Sequence, residues 1–397
     1  MDETPGALEQ DFTPDVEVVH ASAPPAEEDA GEPARRPRIE GLTREQWIWI
    51  AVGVVFFAWA VWAFVDNGTN FVALLGSGLA EGAVVSLAAI GFIVIQKATG
   101  IANFAQGDLI TLGAFLAFWA TDGTGIAKNG LGISLGLGII VTLVLMFGIG
   151  VGIERVAYAP LRGRDIHVVV IATLGIALVI RTLLGIWQGT TPRSLQSWFS
   201  SGNSLQNFLI FDQGVLRINI GFLGVHDAVI SAQRVVVMVV TAIAVVGIML
   251  LFSRTSFGRQ VRAIAADRET ARLYGVRANR MSMLAFGISA ALAGLAGILI
   301  APLGSFDLSL GFAYMLLGFA AAVLGGFGSI GGVVVGALLI GLTEQLFGGD
   351  MLPLLVKTLG GDPAEVLKYR SVFPYVLMLI VIAIKPQGLF GRAGKRL

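Results

Sequence analysis

The chain has 397 residues, of which 55% are hydrophobic and 14% charged, with 52 glycines, a mean hydropathy of +0.79 and a formal net charge of +0. Soluble domains carry roughly 25% charged residues, so this composition excludes an ordinary soluble globule. The absence of cysteine excludes disulfides and thiolate chemistry.

Neutrality conceals an asymmetry. Residues 1–40 hold eleven acids against Arg35, Arg36 and Arg38, with six prolines. Such a segment cannot bury enough apolar surface to fold, so 1–45 reads as a disordered acidic Pro/Ala-rich tail. It has neither the basic n-region nor the apolar h-region of a signal peptide. Trp47–Val65, Gly130–Ile153, Val235–Ser253 and Met281–Phe306 each lack formal charge, and about 20 apolar residues cross a bilayer core. Strict apolar–polar alternation, the mark of a membrane barrel, is missing. The fold class is therefore an all-α polytopic membrane protein of about nine to ten transmembrane helices, some short or broken.

Spans are expected near 46–65, 79–98, 104–121, 132–153, 167–187, 234–253 and 281–301, then two shorter segments, then 371–385. Lys and Arg in short loops mark the cytoplasmic side. The basic stretches Arg35–Arg44, Arg155–Arg164, Gly258–Arg280 and Lys385–Arg396 all fall there if each pair is separated by an even number of crossings. This places both termini in the cytoplasm, with 46–66 an extra N-terminal transmembrane helix, 67–392 the main domain and 393–397 a basic tail. Leu308–Thr343 is uncharged but interrupted by "GGFGSIGG" at Gly325–Gly332, which predicts two shortened helices. Gly328, Gly332 and Gly336 recur every fourth residue, the spacing of one close-packing face. Broken helices also line transport pathways, which makes Gly326, Gly328 and Gly331 candidate pathway positions.

Several motifs fail on context. "GFGSIG" at Gly326–Gly331 matches a dinucleotide-binding pattern, but that pattern needs a preceding strand and a soluble βαβ unit. "GISLG" at Gly132–Gly136 matches a nucleophile elbow, yet it opens an apolar span, and the three histidines, His20, His167 and His226, form no triad. No His–carboxylate cluster has metal-ligand spacing. The chain carries no G-x-x-x-x-G-K-[ST] loop, so it is expected to be no enzyme and to hold no cofactor; if ATP drives it, ATP and Mg belong to a partner ATPase. Ionisable residues within spans are costly. Glu81, Asp108, Arg181 and Glu344 are each expected near a segment end, where an interfacial position suffices.

The segment Gly258–Arg280 carries six arginines and two acids. Asp267 is placed to cap a short helix over "RETARLY", with Glu269 in its first turn and Gly275 at its end. Before it, "GRQVRAIAA" sets Val261, Ile264 and Ala265 on one face. Connecting loops are usually a handful of residues, so 254–280 reads as an element for a partner to grip.

"GRQVRAIAADRETARLYGV" resembles the cytoplasmic coupling loop of permease subunits in ATP-binding-cassette (ABC) importers of the branched-chain amino-acid type. "QKATGIANFAQGDLITLGAF" at 96–115, "ERVAYAPLRGR" at 154–164, "AVLGGFGSIGGVVVGALLIGLTE" at 322–344 and "IKPQGLFGR" at 384–392 are similar to family segments in the same order. The resemblance spans about 71 to 392. It implies an ABC importer permease architecture in the bacterial plasma (inner) membrane and makes 67–392 a permease domain. Its implied partners are a second, related permease, two ATP-binding subunits, an extracytoplasmic substrate-binding protein and the lipid bilayer, with no nucleic acid. The cargo it implies is leucine, isoleucine and valine, or in related branches urea, short amides and other amino acids. It also implies that Gly258, Arg262, Ala265, Asp267, Ala271 and Gly275 meet the ATPase, and that Asn103, Phe104, Ala105, Gln106, Gly107 and Asp108 form a partly structural signature. Gln106 replaces the His of many members and Asp108 the common Glu, while Glu81 stands where an apolar residue is usual.

Overall fold

The computed structural model describes residues 44–122, 130–195, 198, 215–220 and 225–391. Residues 1–43 of the acidic tail 1–45, with His20, and the basic tail 393–397 lie outside these residues. The chain divides into two units, Met1–Ile50 and Ala51–Leu397, and the fold and sites described below belong to the second.

Helix α1 (Arg44–Thr99) is one element. From Ala51 to Thr99 it runs unbroken for roughly 70 Å at 1.5 Å per residue. The turn expected between spans at 46–65 and 79–98 does not form, and the helix continues through Asp66–Asn70. The polar residues Asp66, Asn67, Gly68, Thr69 and Asn70 read as a loop, but none is a proline, and nothing among them obliges a helix to stop.

The remaining helices fall close to expectation. They are α2 (Gln106–Thr121), α3 (Leu135–Ile153), α4 (Ile166–Gln188), α5 (Ala232–Arg254), the short α6 (Ser256–Ala266) and α7 (Arg268–Leu273), and α8 (Ala278–Ile300). The uncharged run divides as foreseen into α9 (Leu310–Gly325) and α10 (Ile330–Leu342). A π-helical stretch, Thr343–Met351, leads to α11 (Leu352–Thr358), and α12 (Pro363–Leu367) and α13 (Phe373–Ile384) complete the chain. Six helical segments of the described residues are long and apolar enough to cross a membrane, with α2, α9 and α13 shorter. Two small antiparallel pairings also occur: β1 (Arg193–Ser194) with β4 (Ser305–Phe306), and β2 (Val215–Ile220) with β3 (Val225–Ser231).

Apolar helices gain little from burying apolar surface in lipid, so close backbone packing has to hold them. Helix α8 is largely buried and lies against α2, where a Cβ on Gly113 would come within 2.4 Å of the Gly294 Cα. By contrast α3, α4 and α5 expose Val144, Ile171, Leu178 and Ile243, as lipid-facing or partner-facing helices do. α1 and α8 thus form the centre, with α3, α4 and α5 at the periphery.

The basic elements gather at one end of this bundle. Lys97 donates from Nζ to the Gly328 carbonyl at 2.9 Å. The tail of α1 shares a groove of about 290 Å³ with Ile264–Arg268. Leu389 N–H donates to the Leu324 carbonyl at 2.8 Å, bringing the C-terminal segment to the same place. Tyr158 packs on Phe286 beside Ile95, drawing in the 154–164 connection.

Candidate functional site

The segment after α5 folds into the two short helices expected of it. Thr255 caps α6 by accepting from Gly258 N–H at 3.4 Å, and Asp267 caps α7 by accepting from Glu269 and Thr270 N–H at 2.9 and 3.2 Å. The Thr270 hydroxyl adds a third hydrogen bond to Asp267 at 2.5 Å. That hydroxyl first, then the two backbone N–H groups, holds the Asp267 carboxyl below the usual carboxylate range. Gly275 follows at φ +82°, a left-handed conformation that suits glycine and ends the helix.

Val261, Ile264 and Ala271 are buried, with Ile264, Ala271 and Ala278 forming a small core. Ala265 is exposed and lines the groove beside α1 instead of sharing the buried face. The third position on that face is Gly258, three residues before Val261 on the helical repeat. A Cβ there would lie 2.0 Å from the Phe252 carbonyl oxygen, so only glycine allows α6 to fold back on the end of α5. Arg262 donates from Nη1 to that same carbonyl, fastening the joint. At the tip Leu273 and Tyr274 are 88% and 85% exposed. Nothing in the sequence marks this pair apart from its place between the capping signals Asp267 and Gly275.

Residues 100–105 are not helical, and the chain enters the bundle through them. Phe104 N–H donates to the Thr173 hydroxyl, two turns into α4, at 3.2 Å. Helix α2 therefore begins inside the bundle, and its first residues are buried polar groups. Gln106 donates to the Ser289 carbonyl at 3.4 Å, and the Ser289 hydroxyl lies 2.8 Å from Gln106 Oε1 and 2.7 Å from the Gly91 carbonyl. Asn103 accepts from Ala105 N–H at 3.1 Å, which turns the chain into α2. Gly107 faces Gly311 at the start of α9, whose N–H donates to the Thr111 hydroxyl at 2.9 Å. These contacts join α1, α2, α8 and α9.

Asp108 is not interfacial as its place near a helix end implied. It is 3% exposed and meets Arg181 of α4 through two hydrogen bonds of 2.9 and 3.3 Å. The Arg181 guanidinium also lies 5.8 Å from the Phe312 ring centroid. Paired this way, two costly charges become a clamp between α2 and α4.

The interruption at Gly326–Ser329 is a reverse turn at the Lys97 end of the bundle. Gly326 has φ +86° and lies against Gln387 and Gly391. Gly328 does not belong to the packing face expected for it: its surroundings are open, and its carbonyl accepts from Lys97. Gly332 and Gly336 do pack, approaching Gly325 and Ala321, whereas Gly331 meets nothing closely. A groove of about 750 Å³ between this turn and Pro386–Gly391 opens at the same end.

Glu81 lies about five turns of α1 before Thr99, roughly 27 Å away along the axis. It accepts from the Gln345 amide, while the adjacent Glu344, 4% exposed, accepts from the Ser371 hydroxyl at 2.9 Å and sits 3.8 Å from Arg370. Glu81, Arg234, Tyr314, Gln345 and Arg370 line a cavity of about 150 Å³. Arg234 starts α5, at the opposite end of that helix from α6. Sequence spacing carries no sign of this grouping, because its members come from distant stretches of the chain.

Comparison with known proteins bears on the whole bundle. Residues 74–382 match the family described as branched-chain amino acid transport system / permease component. The chain is 30% identical over 327 residues to the high-affinity branched-chain amino acid transport system permease protein BraD of Pseudomonas aeruginosa, covering 81% of this chain and 96% of that protein. It is 27% identical to the corresponding protein LivH of Escherichia coli K12, with the same coverage. A probable LivH of Methanocaldococcus jannaschii is 25% identical, over 80% of this chain and 93% of that protein. With its helices, its 103–108 segment and its 254–280 loop all inside the matched region, this chain belongs to the branched-chain amino acid transport system permease family.

Proposed function

We propose that this chain is the permease subunit of an ATP-driven importer that carries branched-chain or closely related small amino acids into bacteria across the plasma (inner) membrane. The α6–α7 element takes the push of two ATP-binding subunits. A second, related permease completes the pathway, and an extracytoplasmic binding protein delivers the substrate. The observation that carries this reading is the α6–α7 platform itself: it is capped, folded onto the end of α5 at Gly258, and exposes Leu273 and Tyr274 at its tip. Single scattered apolar residues on a surface are ordinary, but two adjacent ones ringed by arginines suit a partner's socket. The gathering of Lys97, the 154–164 connection, the platform and the C-terminal segment at one end supports a cytoplasmic assignment for that end.

The test is ATP-dependent uptake by the complete importer in proteoliposomes. Asp267→Ala and Gly275→Val are expected to reduce leucine uptake by at least about tenfold while the chain still inserts, because each unsettles α7 without touching a span. Uptake at the wild-type rate in both variants contradicts the coupling role.

A further inference from the structure

The cavity around Glu81 holds charges that the fold alone does not explain. Arg370 has Glu344 beside it at 3.8 Å. Arg234, in contrast, has no acidic partner among the described residues, and Glu81 is hydrogen-bonded only to the neutral amide of Gln345. Among the described residues neither group has a salt-bridge partner, and both line the same small space. Lone ionisable groups inside a membrane bundle are expensive to keep. They are not the unavoidable companions of packing here, since Ala80, Val84, Ile300 and Leu303 show that apolar side chains fit the same walls.

We propose that this cavity is a recognition site for the ammonium and carboxylate groups of a zwitterionic α-amino acid, with Glu81 receiving the ammonium and Arg234 the carboxylate. The inference rests on the permease reading above and narrows its substrate class. A guanidinium offers a carboxylate two parallel hydrogen bonds, and an ammonium satisfies a carboxylate that has only an amide beside it. A neutral amide or urea offers neither group a counter-charge, so the site favours amino acids over those substrates. Its position, far along α1 from Lys97 and at the start of α5, is the end away from the α6–α7 platform. On the orientation proposed above, a substrate released by the binding protein reaches this end first.

The experiment measures equilibrium binding of radiolabelled leucine to the complete purified importer without its binding protein. Competitors are 4-methylpentanoate, which lacks the ammonium, and leucinamide, which lacks the carboxylate. The wild type is expected to prefer leucine to each analogue by at least about tenfold. Glu81→Gln should lose the preference over 4-methylpentanoate but keep that over leucinamide. Arg234→Gln should do the reverse, and Glu81→Asp and Arg234→Lys should retain part of each. A general folding defect would lower both preferences together and would not give this crossed pattern. Unchanged preferences in both Gln variants, or no preference in the wild type, overturn the site while leaving the permease reading intact if leucine is still imported. A wild-type importer with all its partners that imports no amino acid contradicts the permease reading itself.

Discussion

Asp108 and Arg181 carry opposite charges into the bundle, and each is tolerable there only because of the other. Breaking a buried pair by removing one partner costs roughly 3–5 kcal/mol. Arg181 keeps about a third of its side chain exposed, so the expected loss for Asp108→Asn is smaller, about 2 kcal/mol. Thermal unfolding of the purified chain should register it as a lowered Tm, and the double variant Asp108→Asn, Arg181→Gln should recover part of the loss. An unchanged Tm in the single variant would mean that the pair does not hold α2 to α4. The residue types at 108 and 181 were visible in the sequence. Their pairing was not, because it depends on α2 starting within the bundle, and no local signal marks the depth at which a helix begins.

Among the elements, α7 is the one whose stability answers to pH. The folded-state pKa of Asp267 is depressed by the Thr270 hydroxyl and by two backbone N–H groups. A depressed carboxyl stabilises the fold above its ordinary pKa of about 3.9 and loses that contribution as pH falls through the lower, folded value. Hydrogen exchange of the α7 amides should therefore be slow and pH-independent in protection near neutrality, and protection should drop below about pH 4. Equal protection across this range would show that the Asp267 cap contributes nothing to α7. Here the sequence was explicit: a capping carboxylate, an acid in the first turn and a terminal glycine each have a local physical cause, and each reappears in the fold. The long α1 is the opposite case. "DNGTN" carries loop-forming side chains, but helix continuity there is decided by the absence of proline and by the apolar stretch from Phe71 onward, not by propensity. The Gly326–Ser329 break was legible as a break, whereas its position at the end of the bundle was a tertiary fact.

At the scale of the whole molecule, one end concentrates Lys97, the α6–α7 platform, the Gly326–Ser329 turn and the C-terminal segment, and the other holds the mixed-charge cavity. Under the proposed function these are the two ends of one transport path, with force received at the first and substrate at the second. Composition alone indicated a membrane bundle, and quoted motifs indicated the family, but the cavity required Glu81, Arg234, Tyr314, Gln345 and Arg370 to be brought together from separate helices. Everything in this scheme turns on the ATPase gripping the tip of the platform. Because the chain contains no cysteine, Tyr274→Cys supplies a single thiol at that tip. Thiol cross-linking of this variant within the assembled importer is predicted to give a covalent adduct between this chain and the ATP-binding subunit; an assembled, transport-competent importer that yields no such adduct, with the introduced thiol instead labelled from outside by an impermeant maleimide, would contradict it.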